Sequence, residues 1–453
     1  MRPGGGKALG EREADALAGT RDERDLAAEI EEFQAHAKFP PLDIARTRAG
    51  PRNPMLPFAA DTKRRAVMLA NHPFQVIDGE ARPAPARRRR GARAPGESPS
   101  HEQVRVEEMQ AVMIYGAKDL RLEDRPAGEP GPGEVLVRFG AGGICGSDMS
   151  YWTKGRVGDF AVREPMVLGH EISGTVERVT PGVTNVAPGD RVAIDPSRPC
   201  LSCDYCRSGR SHLCRSMRFF GSASVFPHVQ GAFSETFVCR ADQCHKVPDT
   251  VSLRKIALAE PLAVSLHAVR RAGEMLGKHV LITGAGPIGM LCAIAARHAG
   301  AATITITDLV DEPLALALAA GVDTAINVAT EPERLTAFEA NKGHFDIGIE
   351  ATGSAQALSG LIRVVRPGGR IVQLGMLPPG EVPIPVNLLM AREIDFVGAF
   401  RFAGEFSLAV DLLVNDRIDV GPVMSADMPV SRLEEAFSLA IDRRRAIKVH
   451  LHF

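Results

Sequence analysis

From residue 111 to about residue 255 the chain alternates apolar and polar positions in short runs broken by glycine and proline. "EVLVRFGAGGICG", "VLGHEISGTVERV" and "DRVAIDP" are examples. A period of two between such breaks predicts half-buried strands. Around residue 256 the texture changes, and long apolar stretches that suit helices alternate with short strands: "KHVLITGAG", "ATITITDL", "FDIGIEATG" and "GRIVQLGML". That alternation predicts a parallel, doubly wound sheet. After about residue 395, "FSLAVDLLVN" and "LEEAFSLAI" read as helices, and no internal repeat is present. The expected fold class is α/β, a β-rich domain joined to a Rossmann-type domain.

The first hundred-odd residues differ in character. "EREADALAGTRDERDLAAEIEEFQAHA" suits a charged helix, and "RPAPARRRRGARAPGESPS" reads as an unstructured linker. Arg87–Arg90 could form a polyanion patch, but no aromatic residues interleave them, so a solvated linker is the reading adopted. Translation is expected to begin at Met109, directly before the first strand pattern. The expected organisation is an N-terminal extension over 1–108, a β-rich domain over 109–258 with a cysteine lobe at 196–218, a nucleotide domain over 259–395, and a segment over 396–453 that returns to the β-rich half.

Composition narrows the function. The 453 residues carry 54 Lys and Arg against 55 Asp and Glu, a formal charge of −1 that gives no drive toward nucleic acid or anionic membranes. No run of about 18 apolar residues suggests a membrane span, and the N-terminus lacks a signal-type apolar core. A cytoplasmic location is therefore expected, where clustered cysteines point to metal rather than disulfides.

Eight cysteines are present, and "CLSCDYCRSGRSHLC" sets Cys200, Cys203, Cys206 and Cys214 at C-x2-C-x2-C-x7-C. Four thiolates brought to one point suit a closed tetrahedral structural Zn²⁺, with an iron–sulfur cluster as the rival. Cys239, Cys244 and Cys292 are isolated and read as buried thiols.

"HVLITGAGPIGMLCAIAARHAG" is a strand, a Gly284-x-Gly286-x-x-Gly289 turn and a helix. These glycines suit a tight turn, close approach of a pyrophosphate and close helix packing, with the helix N-terminus facing phosphate. Asp308 ends the next strand and suits the adenosine ribose hydroxyls; Asp311 and Glu312 add negative charge that disfavours a 2′-phosphate. NAD is expected over NADP.

One carboxylate, Glu260, stands inside the apolar run "IALAEPLAVSLHAV", before Pro261. Burying it is costly unless a cation meets it. Cys145 in "GGICGSD" and the His170–Glu171 pair in "PMVLGHE" offer ligands for a second Zn²⁺. Neighbouring strand residues face opposite ways, so His170 and Glu171 both reach a metal only through irregular backbone or water. A further ligand is wanted, and Glu260 at a helix start is the candidate.

Together "GGICGSD", "PMVLGHE", the cysteine lobe, "EPLAV", "GAGPIGM", "EATG" and "FRF" resemble the zinc-containing medium-chain dehydrogenases, in particular the sorbitol dehydrogenase branch, over residues 111–453. "MRFFGSASVFPHVQGAF" and "AEPLAVSLHA" are most similar to the L-idonate 5-dehydrogenases within it. The resemblance implies a GroES-like catalytic domain, a Rossmann domain, and two zinc ions per chain. It places the catalytic zinc on Cys145, His170 and an acid, Glu171 in some members and Glu260 in others. Ser147 would relay a proton. Tyr151 and Arg401 would touch substrate, and Ile288, Asp308, Leu374, Gly375, Met376, Ala399 and Phe400 would touch NAD. The implied substrate is a sugar acid or polyol, and the implied assembly a homodimer or homotetramer. Two positions depart from the pattern: Ser150 stands where close relatives carry His, and Pro313 replaces a basic residue near the ribose.

An aldonate substrate wants a guanidinium for its carboxylate, and Arg218 and Arg401 are the candidates. A neutral-polyol dehydrogenase would need neither. A nucleotide-binding regulator without catalysis is the alternative from another class.

Overall fold

The computed structural model describes residues 108–453. The charged helix expected near the N-terminus and the Arg87–Arg90 stretch lie outside the described residues.

The alternating segments form a seven-stranded sheet that organises the first half of the described chain. Its central strand, Glu134–Gly143, pairs antiparallel with Glu171–Val179, Thr236–Arg240 and Lys448–His452. Alternation sends Val135, Val137 and Phe139 into a core shared with Ile172, Val176 and Ile194. The last strand is the one that matters most for function. Lys448–His452 carries the end of the chain back beside Glu134–Gly143, so residues 300 positions apart in sequence become neighbours.

The second sheet has six strands, all parallel, in the spatial order Thr324–Asn327, Thr303–Asp308, His279–Thr283, Phe345–Glu350, Val365–Gln373, Asp395–Gly398. This is the doubly wound order, in which the first strand, His279–Thr283, lies inside the sheet and the chain runs outward from it in both directions. The crevice beyond the carboxyl ends of His279–Thr283 and Phe345–Glu350 is where such sheets bind ligands. Helices Ala259–Ala272 and Pro287–His298 bury one side of it.

The two helices expected near the C-terminus are present, as Glu405–Val414 and Leu433–Ile441. The expected boundary at residue 395 falls at the edge strand Asp395–Gly398 of the nucleotide sheet. Helix Glu405–Val414 then buries Phe406, Ala409 and Leu413 in the same core as helix Ala259–Ala272. The chain rejoins the seven-stranded sheet only at Met424–Pro429. The apolar face of Glu405–Val414 explains the late crossing, because it completes the core around Leu266 and Val269. Among the described residues no helix is long and apolar enough to cross a membrane.

Candidate functional site

The loop after strand Glu134–Gly143 delivers Cys145 as the residue capping helix Gly146–Lys154. His170 stands just before strand Glu171–Val179, so the alternation rule does not bind it. Gly169, with φ of 96°, makes the irregular step, and a β-carbon there would fall 2.1 Å from the ring of Phe233. As a result one ligand atom each from Cys145, His170 and Glu171 lies within 4.8 Å of the others. Sulfur, imidazole and carboxylate at that spacing suit a divalent zinc.

The charges at this point are unusual. Glu171 is fully buried, and both its oxygens accept hydrogen bonds from Lys448 Nζ at 2.7 Å. Lys448, itself buried, also donates to the Ile144 carbonyl at 3.0 Å. Burial works to lower the Lys448 pKa, yet Glu171 and Cys145 hold it above its ordinary value. Burial, helped by the Glu171 carboxylate, pushes the Cys145 thiol up to about 12. A cation beside it would reverse that, since metal ligands bind deprotonated. Asp148 is buried too. Its Oδ2 accepts from the Cys145 amide at 2.9 Å, while Oδ1 has no hydrogen-bond partner and lies 3.9 Å from His170 Nδ1. Asp148 thus faces the imidazole as a charge neighbour without a hydrogen bond to it.

Glu260 occupies the first turn of helix Ala259–Ala272, with Pro261 in that turn rather than at its first position. Its carboxyl lines the same cleft as Cys145 and His170 but stands outside the three-residue set. Among the described residues no hydrogen bond or ion pair reaches it, and burial pushes its pKa up to about 8.

The cleft encloses about 290 Å³. Val157, Phe160, Phe219 and Val264 give it apolar walls, with Ser147, Tyr151, Ser222 and Arg401 as polar points. The Tyr151 hydroxyl is anchored by the Ala223 amide at 3.0 Å. Arg401 holds a φ of 55°, a left-handed conformation that costs energy for a residue with a β-carbon, and its guanidinium lies 4.3 Å over the Phe219 ring. Burial lowers its pKa to about 10. Arg218 is a different case. It is exposed on the two-residue strand Arg218–Phe219 and is absent from the cleft wall, because alternation turns Phe219 inward and Arg218 out. Ser150 is likewise not part of the wall.

The same cleft is also lined by Ile288, Leu374, Gly375, Met376, Ala399 and Phe400. The glycine turn behaves as the motif requires. Gly284 has φ of 95°, and a β-carbon on Gly289 would sit 1.8 Å from the Gly284 carbonyl. Gly286 caps helix Pro287–His298, whose free amides face the crevice. Asp308 ends strand Thr303–Asp308 with Asp311 and Glu312 just beyond, and Pro313 is buried in the helix that follows.

In the lobe, Cys200, Cys203, Cys206 and Cys214 bring their sulfurs within 4.8 Å of one another. Backbone amides of Cys203 and Ser216 point at the sulfurs of Cys200 and Cys214 at 3.4 Å, as thiolates require. The Ser202 hydroxyl and nearby amides draw the Cys200 thiol down to about 6. Four sulfurs and no open position fit a zinc that holds the fold. Cys239, Cys244 and Cys292 are buried, but Cys239 and Cys244 are not isolated: their sulfurs lie 3.5 Å apart.

Four residues here escaped the sequence reading. Lys448 is one residue in a terminal strand, and nothing local marks it as buried. Asp148 sits in the quoted "GSD" without a role being assigned. Glu350, in "EATG", accepts from Thr283, Thr352, Gly353 and Gln373, tying the carboxyl ends of three strands beneath the cofactor crevice. Arg443, which pairs with Asp308, reaches it across 135 residues.

Residues 131–249 match the alcohol dehydrogenase GroES-like domain, and residues 287–415 match the zinc-binding dehydrogenase family. The chain is 40% identical to sorbitol dehydrogenase of Gallus gallus over 344 residues, 75% of this chain and 95% of that one. It is 38% identical to L-idonate 5-dehydrogenase (NAD(P)(+)) of Escherichia coli K12, over 76% of this chain and 98% of the relative. The crystal structure of L-idonate 5-dehydrogenase from Escherichia coli superposes with a TM-score of 0.73 at 37% identity, covering 77% of this chain and 99% of that one. With two ligand clusters, a doubly wound sheet and these relatives, the chain belongs to the zinc-dependent alcohol and polyol dehydrogenases, oxidoreductases that act on CH–OH donors with NAD(P).

Proposed function

We propose that this chain interconverts L-idonate and 5-keto-D-gluconate, with NAD preferred over NADP. The observation that carries the reading is Arg401. It brings a guanidinium into an otherwise apolar cleft that also holds Cys145, His170 and Glu260, where a substrate carboxylate would find a charge-assisted partner. The likeness to the L-idonate enzyme supports it, while the similar identity to sorbitol dehydrogenase supports a second reading, a neutral polyol.

In this reading Cys145, His170 and Glu171 hold a catalytic zinc, Glu260 is a reserve ligand or holds a water, and the four lobe cysteines hold a structural zinc, giving two ions per chain. When bound, zinc supplies Lewis-acid polarisation of an alcohol oxygen and the nicotinamide supplies the hydride acceptor. The protein does the rest. Lys448 neutralises Glu171 and sets its position, and Asp148 stands beside His170 as a charge neighbour. Ser147, on the cleft wall beside Cys145, relays the proton released from the substrate hydroxyl, taking it up as it passes its own hydroxyl proton outward to solvent. Tyr151 and Arg401 fix the sugar chain, and the Phe160 and Phe219 rings exclude water. Residues 109–258 and the returning C-terminal strands make the catalytic half, and Gly284, Gly286, Gly289 and Asp308 hold the dinucleotide.

The test is a panel of L-idonate, sorbitol and xylitol with NAD and NADP, followed by the absorbance of the reduced cofactor, alongside elemental analysis. The reading expects an idonate preference, two zinc equivalents, and loss of turnover with one equivalent gone in Cys145→Ala. An idonate-to-sorbitol ratio near unity would remove the sugar-acid assignment. A Cys145→Ala variant with parental rate would remove the metal assignment as well.

A further inference from the structure

Asp308 is the residue on which the NAD preference rests, and the structure shows its carboxylate already fully engaged. Oδ1 accepts from the Leu309 amide at 2.6 Å and the Val310 amide at 3.2 Å. Oδ2 accepts from the Ala285 amide at 2.7 Å and from the Arg443 guanidinium. An ionised carboxylate offers about four lone-pair sites, so none is left for a ribose hydroxyl. Three of the donors are backbone amides fixed by the turn after strand Thr303–Asp308 and by the glycine turn. The fourth alone can move. Arg443 sits on the turn between helix Leu433–Ile441 and strand Lys448–His452, and its side chain keeps 42% of its surface exposed.

A ribose that reaches Asp308 therefore takes the place of Arg443, and the displaced guanidinium remains beside the ribose 2′ position. There the two dinucleotides part company. A 2′-hydroxyl needs the Asp308 oxygen and competes with Arg443 for it. A 2′-phosphate meets repulsion from Asp308, Asp311 and Glu312, but it offers the planar guanidinium a doubly charged partner with oxygens for two hydrogen bonds, in exchange for the carboxylate it leaves. We propose that Arg443 sets the cofactor's 2′-position selectivity, weakening the hold of Asp308 on NAD and giving the 2′-phosphorylated cofactor a foothold. The inference rests on the reading that Asp308 faces the adenosine ribose.

The test is calorimetric titration of the protein, without substrate, with 5′-AMP and with adenosine 2′,5′-bisphosphate, for the parent, Arg443→Met and Arg443→Lys. Removing the guanidinium should lower the affinity ratio of bisphosphate to AMP roughly tenfold, about the effect of one charge-assisted hydrogen bond, with AMP bound as tightly as before or more tightly. Arg443→Lys should fall between the two, and the NADP-to-NAD ratio of kcat/KM should move in parallel. A ratio within about twofold of the parent overturns the inference, as does an equal loss for both fragments, which marks a structural role. If the parent binds neither fragment, the reading of Asp308 fails and takes this inference with it.

Discussion

Replacing Glu260 by glutamine should stabilise the metal-free protein and do so increasingly as pH rises. The carboxyl is 5% exposed, has no hydrogen-bond partner among the described residues, and is pushed by burial from an ordinary value of 4.5 to about 8. Between those values the folded state binds more protons than the unfolded one. Stability therefore falls as pH climbs through the window, the reverse of the usual behaviour of a salt-bridged carboxylate. Each unit corresponds to about 1.4 kcal/mol, so the penalty at pH 7 is roughly 3 kcal/mol and levels off near 5 kcal/mol above pH 8. Glutamine keeps the volume and cannot ionise, so it removes the penalty.

The assay is denaturant unfolding of chelator-treated parent and Glu260→Gln across about pH 4 to 9, comparing midpoints at constant slope. The curves should converge below the lower value and separate above it, with the variant more stable. In zinc-loaded protein a dication facing the carboxylate stabilises its charged form, so the gap should shrink or change sign. Superimposed curves, or a variant less stable than the parent in metal-free solution at pH 8, would refute the claim that Glu260 is an unpartnered desolvated acid waiting for a cation.

Two further outcomes are expected. Lys448→Met strands the buried Glu171 carboxylate and should cost about 3–5 kcal/mol in metal-free protein, with Glu171→Gln in the same background recovering part of it; a double-mutant cycle showing simple additivity would contradict the pairing. Arg401→Met should lower kcat/KM for an aldonate by about 10- to 100-fold relative to sorbitol, the range of one or two hydrogen bonds to a charge, whereas Arg218→Met, on the outer face of its strand, should leave the ratio within about twofold.

Much of this was legible before any coordinates, for identifiable reasons. The period-two runs and the switch at residue 256 reported both sheets, because each strand's burial is written in its own residues. The glycine turn and the cysteine lobe were legible for a related reason, their partners lying within about 20 residues of one another. Elements defined by distant partners were not. Nothing in "AIKVHLHF" says that Lys448 is buried; the fact depends on strand Lys448–His452 docking beside Glu134–Gly143. The same holds for Arg443, and for the division between Arg401, which lines the cleft, and Arg218, which does not. Charge complementarity to a substrate could be guessed from composition, but the side of the strand could not. Which half helix Glu405–Val414 packs on was not legible either, because its apolar stripe is equally consistent with both.

The charges around the cleft explain why a sequence with one stranded carboxylate pointed to a metal at all. Four groups able to carry a negative charge, Cys145, Asp148, Glu171 and Glu260, are brought together at low exposure, and the cations facing them are Lys448 and Arg401. Without further positive charge the set can be held only by protonating two of its members, and burial favours this by raising Cys145, Glu260 and Asp148. A single divalent ion closes the same deficit of two charges while leaving every acid ionised. Lys448 holds the Glu171 carboxylate in place, and Glu260 is left as the charge that a bound ion would switch on. On this view the raised acids and the ligand triad are one feature. Proton uptake on stripping the metal near neutral pH should then amount to about two protons from this site, beyond those taken up by the lobe thiols.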